Sequence, residues 1–251
     1  MSEVQSPAAG PAGLSQWQRV ANIFTAPSKT FQDIERGHRS WWLPFVLLSI
    51  VSYLFFAAVD QRIGIQQAVE NQIRLSPKAQ ERLDELSPEQ RQTQTRISTY
   101  ITEGVFIGSP ALMLAGAALL SLGLMGTVNF AFGGRAKFGS IFAVWIYAWL
   151  PSAIKTLLGV ATIYAGMAPE AFNLKNFAPT NIAAFLDPGA TNKALYSICT
   201  SLDIVTIWTL VLLSIGAATV AGIKRNSGYM AVFGWWTLFV LIGAGWAVAF
   251  S

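Results

Sequence analysis

The chain has 251 residues, 53% of them hydrophobic and only 12% charged, with a mean hydropathy of +0.46. It is more apolar and less charged than an average soluble domain, which argues against an ordinary water-soluble enzyme and points to lipid as the main solvent. The net charge of +4 comes from scattered basic residues, so nucleic acid is not an expected partner, whereas orientation beside anionic lipid is.

Residues 1–16, MSEVQSPAAGPAGLSQ, lack a basic segment followed by an apolar one, so no cleaved signal peptide is expected. Trp17, Val20, Ile23 and Phe24 then fall on one helical stripe, and Pro27 opens a second short segment carrying Phe31 and Ile34. Trp41 and Trp42 stand directly ahead of the first apolar run, where they suit the interfacial aromatic belt. The arm, 1–41, is therefore expected to form amphipathic helices lying on the cytoplasmic membrane face. Trp17, Phe24, Phe31, Ile34, Trp41 and Trp42 are its candidate interfacial or partner surface, with simple interfacial packing as the plainer reading.

Five apolar runs follow, at 42–60, 104–128, 139–165, 198–222 and 229–250. Each is long enough to cross a hydrocarbon core of about 30 Å as a helix. They are apolar on consecutive positions, unlike the alternating strands of membrane barrels. The fold class is all-α: a polytopic five-helix membrane domain over 42–251.

The connection 61–103 mixes both signs of charge. Ser76 and Ser87 each precede a proline, as an N-cap precedes a first helical residue, and Gln90 extends the second toward a capping box. Two or three short helices are expected there, either as a solvated spacer or as a partner-docking cap. The later connection around Phe172, Phe177 and Phe185 is interrupted by Asn, Pro and Gly, so it reads as a structured loop on the outer interface. Lys and Arg in the arm, at Arg135 and Lys137, and at Lys224 and Arg225 mark alternate connections. This places the N-terminus in the cytoplasm and the C-terminus outside.

Gly104 and Gly108 open the second run, and Gly216 and Gly222 mark the fourth. Such small residues let helix backbones approach closely, within one chain or between copies, so self-association stays open. In the third run Pro151 is expected to kink the helix, or to act as a hinge. Lys155 and, in the fourth run, Asp203 are ionisable groups inside apolar segments, at a cost of about 3 kcal/mol each on insertion scales. Lysine could snorkel to the interface, pair with Asp203, or line a hydrated path with it; the pairing of antiparallel neighbours is the leading reading.

One cysteine, Cys199, and one histidine, His38, leave the usual metal sites without ligands. Nucleotide, dinucleotide, hydrolase-elbow and zincin motifs are absent from the sequence. Neither a cofactor nor a catalytic residue is expected.

IFTAPSKTFQDI and WWLPFVL at 23–47, FGSIFAVWIYAWLPSAIKTLLGV at 138–160, and SLDIVTIWTLVLLSIGAATVAGIKRNSGYMAVFGWW at 201–236 resemble the bacterial branch of the Yip1-domain family of five-span membrane proteins. The resemblance implies an N-in, C-out protein, with a bacterial cytoplasmic membrane as the expected compartment and other membrane or membrane-associated proteins as the expected partners. Eukaryotic members are linked to Rab GTPases, but the arm is shorter here than in many of them, which argues against GTPase binding. A non-enzymatic membrane-organising or protein-interaction factor is thus expected; the alternative is a small transporter or channel component with Lys155 and Asp203 in a polar site.

Overall fold

A computed structural model describes residues 13–250; residues 1–12, where most of the signal-peptide expectation falls, and residue 251 lie outside the described residues. Among the described residues the fold is all-α, with only one isolated β-bridge, between Asn181 and Asp203.

Helices α1 (Gln16–Thr25) and α2 (Pro27–Glu35) build the arm. Ser15 and Gln18 close a capping box on α1, and Pro27 starts α2 where a missing amide costs nothing. The first span is α3 (Trp42–Arg62). Three helices follow it, α4 (Ile65–Arg74), α5 (Pro77–Asp84) and α6 (Pro88–Ile107). Ser87 and Gln90 complete the expected capping box on α6, whereas the Ser76 side chain makes no capping bond.

The second span is α7 (Ser109–Gly126), prolonged by a π-helical turn, Thr127–Ala131. It starts five residues later than expected, because a break at Gly108 divides it from α6. The third span is split into α8 (Phe138–Ala148) and α9 (Ser152–Tyr164). At the break the amides of Leu150, Ser152, Ala153 and Ile154 each donate to a carbonyl three residues back, the tighter turn a proline imposes when it removes a helical donor.

A short helix, α10 (Lys193–Ser201), precedes the fourth span, α11 (Ile204–Ala221). The apolar run from 198 is thus two helices meeting at Leu202 and Asp203, and the span is shorter than its apolar run. Gly222 takes a left-handed conformation (φ 67°) that ends α11, a C-cap role rather than helix packing. The fifth span is α12 (Arg225–Phe250).

The third and fourth spans are central. Of their most apolar windows 56% and 50% are buried, against 17% for the fifth span, which therefore faces lipid along most of its length. Two cores result. The larger joins α2, α7, α8 and α11 around Phe31, Val144, Tyr147 and Leu212; the smaller joins the far ends of α3 and α9 to α4 and the loop residue Phe172. We call the end bearing α1 and α2 the arm face, and the opposite end, covered by α4 to α6 and the loop 166–192, the cap face.

Glycines admit close contact at only some of the expected positions. A Cβ on Gly216 would sit 2.4 Å from Val144 Cγ1 and 2.9 Å from the Phe31 ring, whereas one on Gly104 meets nothing and one on Gly108 meets only the carbonyl of Gly104. Gly104 and Gly108 therefore hold no helix pair together within the chain. A Cβ on Gly159, which the spacing did not single out, would sit 2.5 Å from the Phe177 ring. Gly216→Ala is expected to destabilise the protein by about 1–3 kcal/mol, since Val144 is stiff at χ1 and Phe31 has no space to retreat. Gly104→Ala should be neutral or slightly stabilising; equal melting temperatures of the two variants would contradict the packing described.

Candidate functional site

Asp203 sits at the N-cap of α11, and its Oδ1 accepts from the Thr206 amide at 2.9 Å. From α9, Lys155 Nζ lies 2.9 Å from Asp203 Oδ2, and the Thr180 hydroxyl donates to the same oxygen. The Ile204 amide in turn donates to the Thr180 carbonyl at 3.1 Å. Asp203 is fully buried. It joins three segments: the third span, the fourth span and the cap loop.

The sequence places Lys155 and Asp203 inside apolar runs, whereas the structure places their joint at the start of one span. Asp203 precedes the first residue of α11, and an 18-residue helix is only about 27 Å long, barely the thickness of the hydrocarbon. The pair therefore stands near the cap-side boundary. The nine residues of α9 beyond Lys155 rise into the cap, where Ile163 joins the smaller core. Burial pushes the Asp203 carboxyl up, but the hydrogen bonds from Thr180, the Thr206 amide and Lys155, together with the lysine charge, outweigh it and hold the group below its ordinary value. The Phe177 ring lies 5.6 Å from Lys155 Nζ, close enough for a cation–π contact. The carbonyl of Tyr147 that Pro151 would leave without its helical donor accepts from Leu150 at 3.2 Å instead.

A second polar cluster lies at the arm face. Arg19 and Asp33 are 4% and 2% exposed, with Arg19 Nε 3.5 Å from Asp33 Oδ2. Asp33 Oδ1 lies 3.0 Å from His38 Nδ1 and accepts from the Leu14 amide at 3.1 Å. The Arg19 guanidinium donates to the carbonyls of His38 and Ser40, and the Tyr147 hydroxyl donates to Ser40 at 3.0 Å. These bonds tie both arm helices to the start of the first span and to the third. The charge pattern counts Arg19 only as an orienting residue and passes over Asp33. The available signals are Asp33 lying between Phe31 and Ile34, and Arg19 one turn before Ile23.

This corrects the arm's expected surface. Phe31 and Ile34 are fully buried, packed into the larger core, because α2 packs against α11. Phe31 meets Gly216, and Phe24 meets Trp208 edge-on at 5.8 Å, eight positions nearer the cap. Trp41 packs against Phe45 and Phe142. Trp17 and Trp42 are exposed, and Phe24 partly so.

Beside the Lys155–Asp203 joint, a cavity of about 490 Å³ lies between the second, third, fourth and fifth spans. Its walls are Leu, Val, Phe and four tryptophans, Trp145, Trp149, Trp235 and Trp236, with Ser152, Lys155, Thr206 and Thr209 as its polar lining.

In comparisons with known proteins, the family model described as Yip1 domain matches residues 21–247. No curated protein and no solved structure matches.

Proposed function

The chain belongs to the Yip1-domain family, and from that premise we propose that it is a non-enzymatic membrane-organising factor that binds other membrane proteins through its arm face. The observation that supports this reading is where the charges are engaged. Lys155 and Asp203 pair with each other at the base of the cap, and the adjoining cavity has mostly apolar walls, a poor lining for the hydrated path that a transporter or channel would need. The arm, by contrast, is held rigidly by the Arg19–Asp33 cluster and turns Gln18, Phe24, Lys29 and Gln32 outward. Rigid presentation of mixed polar and aromatic side chains lowers the ordering cost of binding a partner. The arm, Arg135 with Lys137, and Lys224 with Arg225 share one face, so we place that face in the cytoplasm, with a bacterial cytoplasmic membrane as the compartment.

Photo-crosslinkers at Gln18 and Gln32, with Leu241 on the lipid-facing fifth span as control, test this. Both arm positions are expected to trap one common membrane-protein adduct that Phe24→Ala weakens. Adducts with lipid alone at every position, or solute flux through proteoliposomes that Lys155→Met abolishes, would favour the transporter instead.

A further inference from the structure

The cavity between the second and fifth spans has a chemistry that nothing above assigns. Its floor is made of residues shut away from the surroundings: Leu124 at 4% exposure, Leu213 at 6% and Val232 at 3%. Its rim residues Leu119, Leu122 and Phe239 are each at least 47% exposed, so it opens sideways, toward lipid, and penetrates behind the surface of the bundle. At the arm-side end the Trp235 indole donates to Thr127 at 2.9 Å, tying the fifth span to the second.

Polarity along the cavity is graded. Ser152, Lys155 and Thr206 lie toward its cap-side end, near the Asp203 N-cap and hence near the hydrocarbon boundary, with Thr209 about one turn further along α11, while Leu124, Leu213 and Val232 lie deeper. An ammonium has three donors. Asp203 takes one from Lys155, whose side chain remains 22% exposed. The volume falls in the range of small-molecule sites, which combine apolar walls with a few placed polar groups. An apolar shaft with donors at the headgroup level matches a molecule having a hydrocarbon tail and an acceptor oxygen at one end.

We propose that this cavity binds one acyl chain of a phospholipid from the cap-side leaflet, with an ester or phosphate oxygen of that lipid accepting a hydrogen bond from Lys155. Its chemistry distinguishes the site from the annular lipid around the fifth span, because the chain lies behind the rim and the head meets a fixed cation. The site is separate from the arm surface, so failure of arm crosslinking leaves it untouched.

The test uses the full chain purified in mild detergent. Native mass spectrometry is expected to show one phospholipid retained per chain after the remaining lipid has been stripped. Leu210→Trp, which fills the cavity from α11, should cut that retention about tenfold, a cost of about 1.4 kcal/mol, while Leu241→Trp on the lipid face leaves it unchanged. Because Leu210→Trp alone could lower retention by misfolding, the unaltered protein is also labelled with a phospholipid carrying a photoreactive acyl chain. Adducts at Leu213 and Val232 support the proposal. Labelling confined to exposed positions such as Leu241, equal retention by Leu210→Trp, or a second copy of the chain or a partner helix trapped at Leu213 in place of lipid would each overturn it.

Discussion

Asp203→Ala is expected to remove most folded protein from membranes, the largest loss of any single substitution considered. The change deletes the acceptor for Lys155, for the Thr180 hydroxyl and for the Thr206 amide together. Breaking a buried pair from one side costs about 3–5 kcal/mol, because the remaining charge is left without a partner. Loss of an N-cap adds about 1 kcal/mol. Asp203→Asn should fall between alanine and the unaltered protein, since asparagine still caps the helix and accepts from Thr180 but leaves Lys155 without a counter-charge. Lys155→Met should cost less than Asp203→Ala, since Thr180 and Thr206 still serve the carboxylate. Exchanging the two charges will not restore the fold, because a lysine at 203 has no oxygen to accept the Thr206 amide.

The measurement is thermal melting and membrane yield, with exposed Glu85→Ala as the reference; matching values for Asp203→Ala and Glu85→Ala would exclude the joint as a structural element. The pH dependence has a definite sign. With its folded value below the ordinary one, Asp203 contributes fully above about pH 4 and loses that contribution as the pH falls through the folded value.

Asp33→Ala is expected to have the second largest effect, and one confined at first to the arm. It leaves the buried Arg19 guanidinium without its carboxylate and frees His38 and the Leu14 amide. A loss of about 3 kcal/mol is expected, read as faster proteolysis between residues 14 and 40 before the spans melt. Because apolar replacement of a buried pair is often neutral, the double variant Arg19→Met with Asp33→Leu should recover part of the loss. Recovery will be incomplete, since the carbonyls of His38 and Ser40 lose a donor. Unchanged arm proteolysis in Asp33→Ala would show that the cluster does not hold the arm.

The arm shows why such features are hard to read from sequence. Helical spacing groups Trp17, Val20, Ile23 and Phe24 as one stripe, yet Trp17 is exposed and Ile23 buried, with Arg19 beside it in the interior. Periodicity measures apolarity, and a buried arginine held by two carbonyls and an ion pair is invisible to it. The glycine positions divide similarly: Gly104 and Gly108 have the spacing of a packing motif without a facing helix, while Gly216 has one. The fourth apolar run begins at 198, ahead of the span, because the end of α10, residues 198–201, continues the apolar pattern of α11. Only the turn at Leu202 shows that the helix ends there.

The sequence by itself determined that this protein is an all-helical, five-span membrane protein. Hydrocarbon offers no partners for backbone amides and carbonyls, so long consecutive apolar runs have no other stable form. Only the tertiary structure decided which polar residues meet: Lys155 with Asp203 and Thr180, and Arg19 with Asp33. Those meetings depend on where helices stop and which neighbour covers each face. Single residues such as Asp203 and Gly222 decide the first, and residues more than a hundred positions apart, such as Phe31 and Gly216, decide the second.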